Sequence, residues 1–190
     1  RAQGRDGISR IGYASSSDGI NFDERLPYPI YTPKGPYEIA NEGQVVKAMQ
    51  KFDPNYRSGG GRCGAEDPRA VYVAEDKTIY LTYVAFAGWD SIRIGAVSIA
   101  LEDFLAKRWN WSRPVYLTNS DTIAKSGSFF PERINNKLLF SYRVFHNYLK
   151  HPAPRTHFAS ITELGPRTKV ADSKTDPFIQ PEDFPKVIRW

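Results

Sequence analysis

The residues best suited to chemistry stand in one short stretch, residues 64–69, which read Gly-Ala-Glu-Asp-Pro-Arg. Two adjacent carboxylates, Glu66 and Asp67, lie between a glycine and a proline, with Arg69 close behind them. A carboxylate held at the end of a sheet beside a cation can serve as a general acid or base. Because Pro68 restricts the residue before it, Asp67 is predicted to be extended and held by the backbone rather than left on a mobile tip.

Short strand-like runs separated by turns must position these acids. Residues 70–73 and 78–84 are rich in Val, Ile, Tyr and Thr and flank a turn at Asp76-Lys77. Residues 132–134 and 137–143 flank a second turn, at Asn135-Asn136. Helical periodicity is weak along the chain, and one short helical turn is expected at residues 101–105. The pattern predicts an all-β fold.

An internal sequence repeat refines that prediction. The segment that begins at Arg10 resembles the one that begins at Arg93, and a fainter copy begins at Thr156. Repeated four-stranded units are typical of a β-propeller, with a β-sandwich as the alternative. At the usual length of a propeller blade, 190 residues hold about three blades, whereas propellers close with four or more. Residues 1–190 are therefore expected to be part of a propeller whose N- and C-terminal portions are missing.

The composition excludes several classes of partner. The net charge is +5, but the basic residues are scattered rather than gathered into the stripe of a nucleic-acid binder. No apolar run is long enough to cross a membrane. The single cysteine, Cys63, excludes an internal disulfide and a cysteine-based zinc cluster. No residue pattern calls for a metal or another cofactor. The many aromatic residues favour strands and also suit a sugar-binding cleft.

Three motifs, in order, resemble glycoside hydrolase family 130. They are residues 9–22 (SRIGYASSSDGINF), residues 64–69 with the strand 79–83, and residues 125–135 (KSGSFFPERIN). The resemblance runs from residue 1 to about residue 143. It implies an all-β, five-bladed β-propeller, of which this chain holds about three blades, and an enzyme that cleaves β-mannosides.

The resemblance also implies a mechanism. Most types in the family are inverting phosphorylases and some are hydrolases, so inorganic phosphate is expected as a co-substrate. Asp67 is implied to be the proton donor to the glycosidic oxygen, through a hydroxyl of the mannosyl unit. Phosphate would attack the anomeric carbon from the opposite face and give mannose 1-phosphate. Since phosphate is already nucleophilic, such a site needs cations to hold the dianion rather than a second carboxylate as base.

Further site residues are predicted around Asp67. Arg10, Glu66 and Arg69 are expected to bind the substrate. Arg93, Lys125 and Arg143 are expected to bind phosphate, the last two because they match the positions of phosphate contacts in the family. Arginine suits this role because its planar guanidinium binds two oxyanions at once. Arg10 and Arg93 are expected to begin equivalent strands.

One departure from the family keeps other functions open. Its phosphorylases carry a His-Arg pair on the strand after Phe-Pro-Glu, whereas this chain has Tyr142-Arg143 and its nearest histidine is His146. A β-mannoside hydrolase in which Glu66 or Glu132 activates water is therefore an alternative. A non-catalytic carbohydrate-binding propeller is another.

The expected partners follow from the phosphorylase reading. They are a β-mannoside oligosaccharide and phosphate, with no nucleic acid and no membrane, and a homo-oligomer is compatible with the sequence. The sequence itself does not specify the compartment. A cytoplasmic location is expected only if the protein is a bacterial phosphorylase.

Overall fold

The computed structural model describes residues 1–40, 62–88, 91–119, 123–145 and 155–172. These residues form strands with one short helix, α1 (Leu101–Leu105), so the prediction of an all-β fold with one helical turn is confirmed. The strands are β1 (Ala2–Gln3), β2 (Ile8–Arg10), β3 (Ala14–Ser15), β4 (Glu24–Arg25), β5 (Cys63–Val73), β6 (Thr78–Phe86), β7 (Ile92–Ala100), β8 (Val115–Tyr116), β9 (Ile123–Ile134), β10 (Lys137–Phe145), β11 (Arg155–Ile161) and β12 (Ala171–Asp172).

The first sheet has six strands in the order β1-β2-β5-β6-β7-β8. Strands β5 to β8 form an antiparallel meander, since each pairs with the next along the chain. Strand β2 joins β5 in parallel, with Ser9 opposite Gly64. Gly64 has a φ of 127°, and a Cβ placed on it would lie 2.2 Å from the Ser9 carbonyl oxygen. Glycine is therefore required where β2 meets the strand that carries the two acids.

The second sheet repeats the meander. Its order is β12-β11-β10-β9, and every pair is antiparallel. The predicted turns that close the two long hairpins are confirmed. Lys77 has a φ of 49°, and Asn135 and Asn136 have φ values of 51° and 61°. Strands β3 and β4 form a separate hairpin near the N-terminus.

Two apolar clusters bury both faces of the first sheet. One lies between the two sheets and includes Ile94, Phe129 and Phe140. The other lies beneath the N-terminal segment and includes Tyr31 and Tyr83. Because both faces are covered, β6 is buried along nearly its whole length, including the polar Thr82.

Two indole rings, those of Trp109 and Trp111, are half-buried. Trp109 and Trp111 pack against the cluster beneath the N-terminal segment. Trp111 donates from Nε1 to the carbonyl oxygen of Ile30 at 2.7 Å. These two rings therefore support the fold of the N-terminal segment.

Two of the three copies of the internal sequence repeat occupy equivalent strands. The copies at Arg93 and Thr156 fall on β7 and β11, the third strand of each meander. Arg10, by contrast, ends the short β2, which pairs in parallel with β5. The prediction that Arg10 and Arg93 begin equivalent strands is therefore wrong, since similar sequences occur here in strands with different pairing. Two meanders packed face to face fit neighbouring blades, and the five-bladed propeller remains a prediction.

No helix in the part of the chain described here is long and apolar enough to span a bilayer.

Candidate functional site

Asp67 lies in a β-bulge of β5. Glu66 stands opposite Val84 and Arg69 stands opposite Thr82, so Asp67 and Pro68 together oppose Tyr83. Asp67 has a φ of 47°, in the left-handed region. The prediction that Pro68 keeps Asp67 extended is therefore wrong. The extra residue of a bulge must leave the ladder, and aspartate is among the few non-glycine residues that tolerate this conformation.

The two adjacent acids have different surroundings. The Asp67 side chain is exposed, and no hydrogen bond or ion pair to it occurs among the described residues. Glu66 is 1% exposed. It accepts a hydrogen bond from Ser9 Oγ at 3.1 Å, and its Oε1 lies 3.3 Å from Arg1 Nη2. Glu66 is thus committed to the protein, while the Asp67 carboxylate remains available to a ligand.

A buried polar network lies behind the bulge. Tyr83, which opposes Asp67 and Pro68, donates its hydroxyl to the fully buried Glu38. Tyr31 also donates to Glu38, at 2.8 Å, and its hydroxyl lies 2.9 Å from that of Tyr83. Burial, and then the nearby charge of Glu38, raise the pKa of Tyr83 well above its usual range. The phenol therefore stays protonated and keeps donating to Glu38.

Glu38 is itself held by a turn. The backbone N–H groups of Lys34 and Gly35 donate to its Oε2 at 2.6 and 2.9 Å. With the two tyrosines, this carboxylate has four donors, which is what a buried charge requires. Tyr83, which lies opposite Asp67, is thus held by a buried hydrogen-bonded network that was not predicted from the sequence.

Strand β9 carries a second bulge at the corresponding position. Lys125 stands opposite Arg143 and Ser128 opposite Ser141, so Ser126 and Gly127 together oppose Tyr142. Ser126 has a φ of 59°. In pairing, Ser126 therefore corresponds to Asp67, and Lys125 corresponds to Glu66. The Ser-Gly dipeptide after Lys125 is the one sequence signal that pointed to this bulge.

Two of the predicted phosphate-binding residues meet at the second bulge. Lys125 and Arg143 are direct cross-strand partners. Like charges placed opposite one another destabilise an antiparallel pair, so an anion bound there would be favourable. Arg143 is exposed and donates from Nε and Nη2 to Ser126 Oγ, at 3.2 and 2.6 Å.

The two bulges are joined by Thr82 of β6. Its Oγ1 donates to the carbonyl oxygen of Gly127 at 2.6 Å and lies 3.3 Å from the carbonyl oxygen of Arg69. Gly127 also packs directly on Ile94, where a Cβ would lie 2.5 Å from the Ile94 Cγ2. Strand β9 is therefore in direct contact with β6 and β7 of the first meander, and Thr82 lies next to residues of both bulged segments.

Arg93 lies on the face of β7 opposite to that of Ile94. Its neighbour Ile94 packs into the core between the sheets, and alternate residues of a strand point to opposite faces. The Arg93 guanidinium lies 3.6 Å from the centre of the Tyr37 ring, and Tyr37 meets Tyr116 edge-on at 4.8 Å. Arg93 Nε is buried with no hydrogen-bond partner in the described part of the chain. The aromatic pair thus orients this cation.

The remaining predicted substrate-binding arginines differ in how far they are committed. Arg10 is engaged with Asp6 through two contacts, Nη1–Oδ1 at 3.0 Å and Nη2–Oδ2 at 2.7 Å. This pairing lowers the pKa of Asp6 far below its usual range. Arg69 is exposed just beyond the Asp67 bulge.

The residues considered for the alternative functions lie at different places in the structure. Glu132 is exposed near the Asn135-Asn136 turn, at the opposite end of β9 from Lys125. Tyr142 stacks on His157, with ring centres 5.5 Å apart and an angle of 28°. His146 lies outside the described residues. Among the described residues, no group of three or more His, Cys, Asp or Glu side chains is arranged to hold a metal ion.

Comparisons with known proteins now bear on this arrangement. No protein-family model matches the chain. A 1,2-β-oligomannan phosphorylase from Thermoanaerobacter sp. (strain X514) is 31% identical over 141 residues, which are 73% of this chain and 36% of that protein. A β-1,2-mannobiose phosphorylase from the same organism is 29% identical over 136 residues, which are 72% of this chain and 34% of that protein. The resemblance to glycoside hydrolase family 130 is therefore confirmed.

A solved structure extends the comparison to the fold. The β-1,2-mannobiose phosphorylase from Listeria innocua, in complex with β-1,2-mannobiose, is similar with a TM-score of 0.53. The identity is 17%, over 87% of this chain and 36% of that one, so the likeness concerns the fold alone. The chain spans about a third of the length of the curated relatives that it matches.

Proposed function

We propose that the complete protein is an inverting β-mannoside phosphorylase and that this chain forms part of a five-bladed propeller. The relatives named above supply the reaction class, because each is named as a phosphorylase of a β-1,2-linked mannan or mannobiose. A β-1,2-linked mannoside is accordingly the proposed substrate. Inorganic phosphate is the co-substrate, and no cofactor is needed.

The observation that carries the proposal is a reversal of charge between two equivalent bulges. Strand β5 presents Glu66 and Asp67 where β9 presents Lys125 and Ser126, with Arg143 across the ladder. The two bulges are joined through Thr82. An inverting phosphorylase needs a proton donor for the leaving oxygen and cations for the attacking dianion, and the two bulges carry residues of both kinds.

The proposed reaction divides the work between the two strands. Asp67 supplies the proton that reaches the glycosidic oxygen through a hydroxyl of the mannosyl unit. The bond from the anomeric carbon to that oxygen breaks, and its electron pair stays with the leaving sugar. An oxygen of phosphate, held by Lys125 and Arg143, forms the new bond to the anomeric carbon and gives mannose 1-phosphate.

The other predicted residues take supporting roles. Arg69 is proposed to contact the sugar because it is exposed directly after the Asp67 bulge. Glu66 and Arg10 are proposed to shape the substrate side, with Glu66 fixed by Ser9 and Arg10 fixed by Asp6. Arg93, oriented by Tyr37, is proposed to add a third cation for phosphate.

The experiment is an assay of the full-length protein with β-1,2-mannobiose, with and without inorganic phosphate. We expect mannose 1-phosphate to form only when phosphate is present, and Asp67→Asn to reduce the rate by about 10²–10⁴-fold. Asp23→Asn, a change at an exposed acid beside β4, is the matched control and is expected to retain the wild-type rate.

The other outcomes separate the alternatives. Release of free mannose without phosphate would replace the phosphorylase with a hydrolase. Mannoside binding without turnover, equal in wild type and Asp67→Asn, would point to a carbohydrate-binding protein. Full activity of Asp67→Asn would overturn the assignment of Asp67.

A further inference from the structure

Ser126 is a residue of the second bulge to which no function has yet been given. Its φ of 59° lies in a region that residues other than glycine seldom adopt, and it occupies the position that Asp67 occupies in β5. Backbone strain of this kind costs roughly 1–3 kcal/mol and clusters at functional sites. The hydroxyl of Ser126 is therefore a candidate for a role in the site.

The direction of the Ser126 hydroxyl proton follows from its contacts. Arg143 donates to Ser126 Oγ twice, from Nε at 3.2 Å and from Nη2 at 2.6 Å. A serine oxygen has two acceptor lone pairs and one proton. Because both lone pairs face the guanidinium, the proton must point away from Arg143. No acceptor for it is found in the described part of the chain.

The surrounding charges select the kind of acceptor. Ser126 follows Lys125 in sequence and is bonded to Arg143, and these two cations oppose each other across the ladder. In the described residues, the ion pairs of the chain do not include Arg143. An oxyanion that binds both cations would lie beside Ser126 and could accept its proton.

We infer that Ser126 is a phosphate ligand that donates a hydrogen bond to the attacking phosphate, an inference that rests on the proposed phosphorylase function. A carboxylate at this position, such as the one that β5 carries at Asp67, would take the two Arg143 donors and cancel the charge. A neutral hydroxyl keeps that charge for the substrate and adds a third donor. Ser126 thus favours phosphate over water as the nucleophile.

The test measures the affinity of the full-length protein for inorganic phosphate, both by equilibrium titration and as KM for phosphate. Ser126→Gly removes the hydroxyl and suits the left-handed backbone, so folding is preserved. Its Kd and KM for phosphate are expected to rise about 10-fold or more, with KM for mannobiose unchanged. Ser126→Asp is expected to raise both constants further. Ser126→Asn keeps a hydrogen-bond donor, so it is expected to raise them least.

A matched control lies on the same strand. Ser128 Oγ donates to a backbone carbonyl, that of Phe129, at 3.4 Å, so Ser128→Ala is expected to leave the Kd for phosphate unchanged. Wild-type affinity for phosphate in Ser126→Gly would overturn the inference. Weakened phosphate binding in a protein that shows no phosphorolysis would keep Ser126 as a ligand while refuting the proposed function. A wild-type protein that does not bind phosphate would refute both.

Discussion

Strands β5 and β9 each begin a four-stranded meander, and each carries a bulge opposite a tyrosine of the next strand, Tyr83 or Tyr142. The backbone solution is the same in both, with a non-glycine residue in the left-handed region. The charge is opposite, since β5 presents acids and β9 presents Lys125 next to Ser126. One repeated backbone feature therefore supplies both halves of the proposed chemistry.

The support behind each bulge also differs. Tyr83 is buried and bonded to Glu38, which in turn has four donors. Arg143, across from the second bulge, is exposed and is held by the Ser126 hydroxyl. This difference suits the two proposed tasks. A proton donor must be aimed at one atom of a bound sugar, whereas cations that receive phosphate must remain accessible to solvent.

The largest expected effect comes from making the two bulges alike. Asp67→Ser gives β5 the residue that β9 carries, so we expect the fold to be retained while the proposed proton donor is lost. We expect the rate of phosphorolysis to fall about 10²–10⁴-fold, measured as release of mannose 1-phosphate. The melting temperature, followed by circular dichroism, is expected to change little. A rate close to wild type would show that the contrast between the bulges is not catalytic.

The next largest effect concerns the basic bulge. Arg143→Met removes two charged donors, and we expect KM for phosphate to rise about 10–100-fold, with a much smaller change in KM for mannobiose. Arg113→Met, a change at an exposed arginine before β8, is the matched control. An increase confined to KM for mannobiose would instead place Arg143 on the sugar side.

A smaller effect tests whether the two meanders act as one unit. Arg133 of β9 binds Asp76 of the β5–β6 turn, through Nε–Oδ1 at 2.7 Å and Nη2–Oδ2 at 2.8 Å. Arg133→Met is expected to lower the free energy of unfolding by about 1–3 kcal/mol, as measured by urea denaturation. Asp103→Asn, which breaks the more exposed pair with Arg108, should cost less. Equal losses of unfolding free energy in the two variants would show that the ion pair between the meanders adds no stability.

The ion pair between Arg133 and Asp76 also predicts that the stability of the fold depends on pH. Arg133, and then Tyr80, hold the pKa of Asp76 below its ordinary value of 3.8. A lowered folded-state pKa means that this stabilisation is present above the unfolded pKa and is lost as the pH falls through the folded value. Wild type should therefore lose stability below about pH 4 more steeply than Asp76→Asn, measured by denaturation at stepped pH. Parallel curves for the two proteins would contradict this.

The smallest effect concerns the shared backbone. At both bulges, we expect the alanine variants of Asp67 and Ser126 to be about 1 kcal/mol less stable than the glycine variants, because alanine is strained at positive φ. Thermal and urea unfolding measure the difference. If alanine and glycine were equal at one position, that bulge would not adopt the left-handed conformation in solution, and the correspondence would fail there.

Much of the fold was predictable from local patterns. Strand-forming runs around Asp76-Lys77 and Asn135-Asn136 predicted the two long hairpins, because turn residues and period-two patterns act over a few residues. The conformation of Asp67 was not predicted, since the influence of Pro68 was weighed without the bulge that β6 imposes. The similarity between the segments that begin at Arg10 and Arg93 led to a wrong prediction, because similar sequences do not determine which strand a segment pairs with.

The sequence alone determined the all-β class, the hairpins and the acidic and basic motifs, because each depends on neighbouring residue types. The motifs also sufficed to recognise the resemblance to glycoside hydrolase family 130. Only the tertiary structure decided that Lys125 opposes Arg143 and that Ser126 matches Asp67. These relations depend on register and on the packing of two sheets, and the Thr82 hydroxyl that joins the bulges spans 45 residues of sequence to reach Gly127. Long-range pairing of this kind leaves no local signal in the chain.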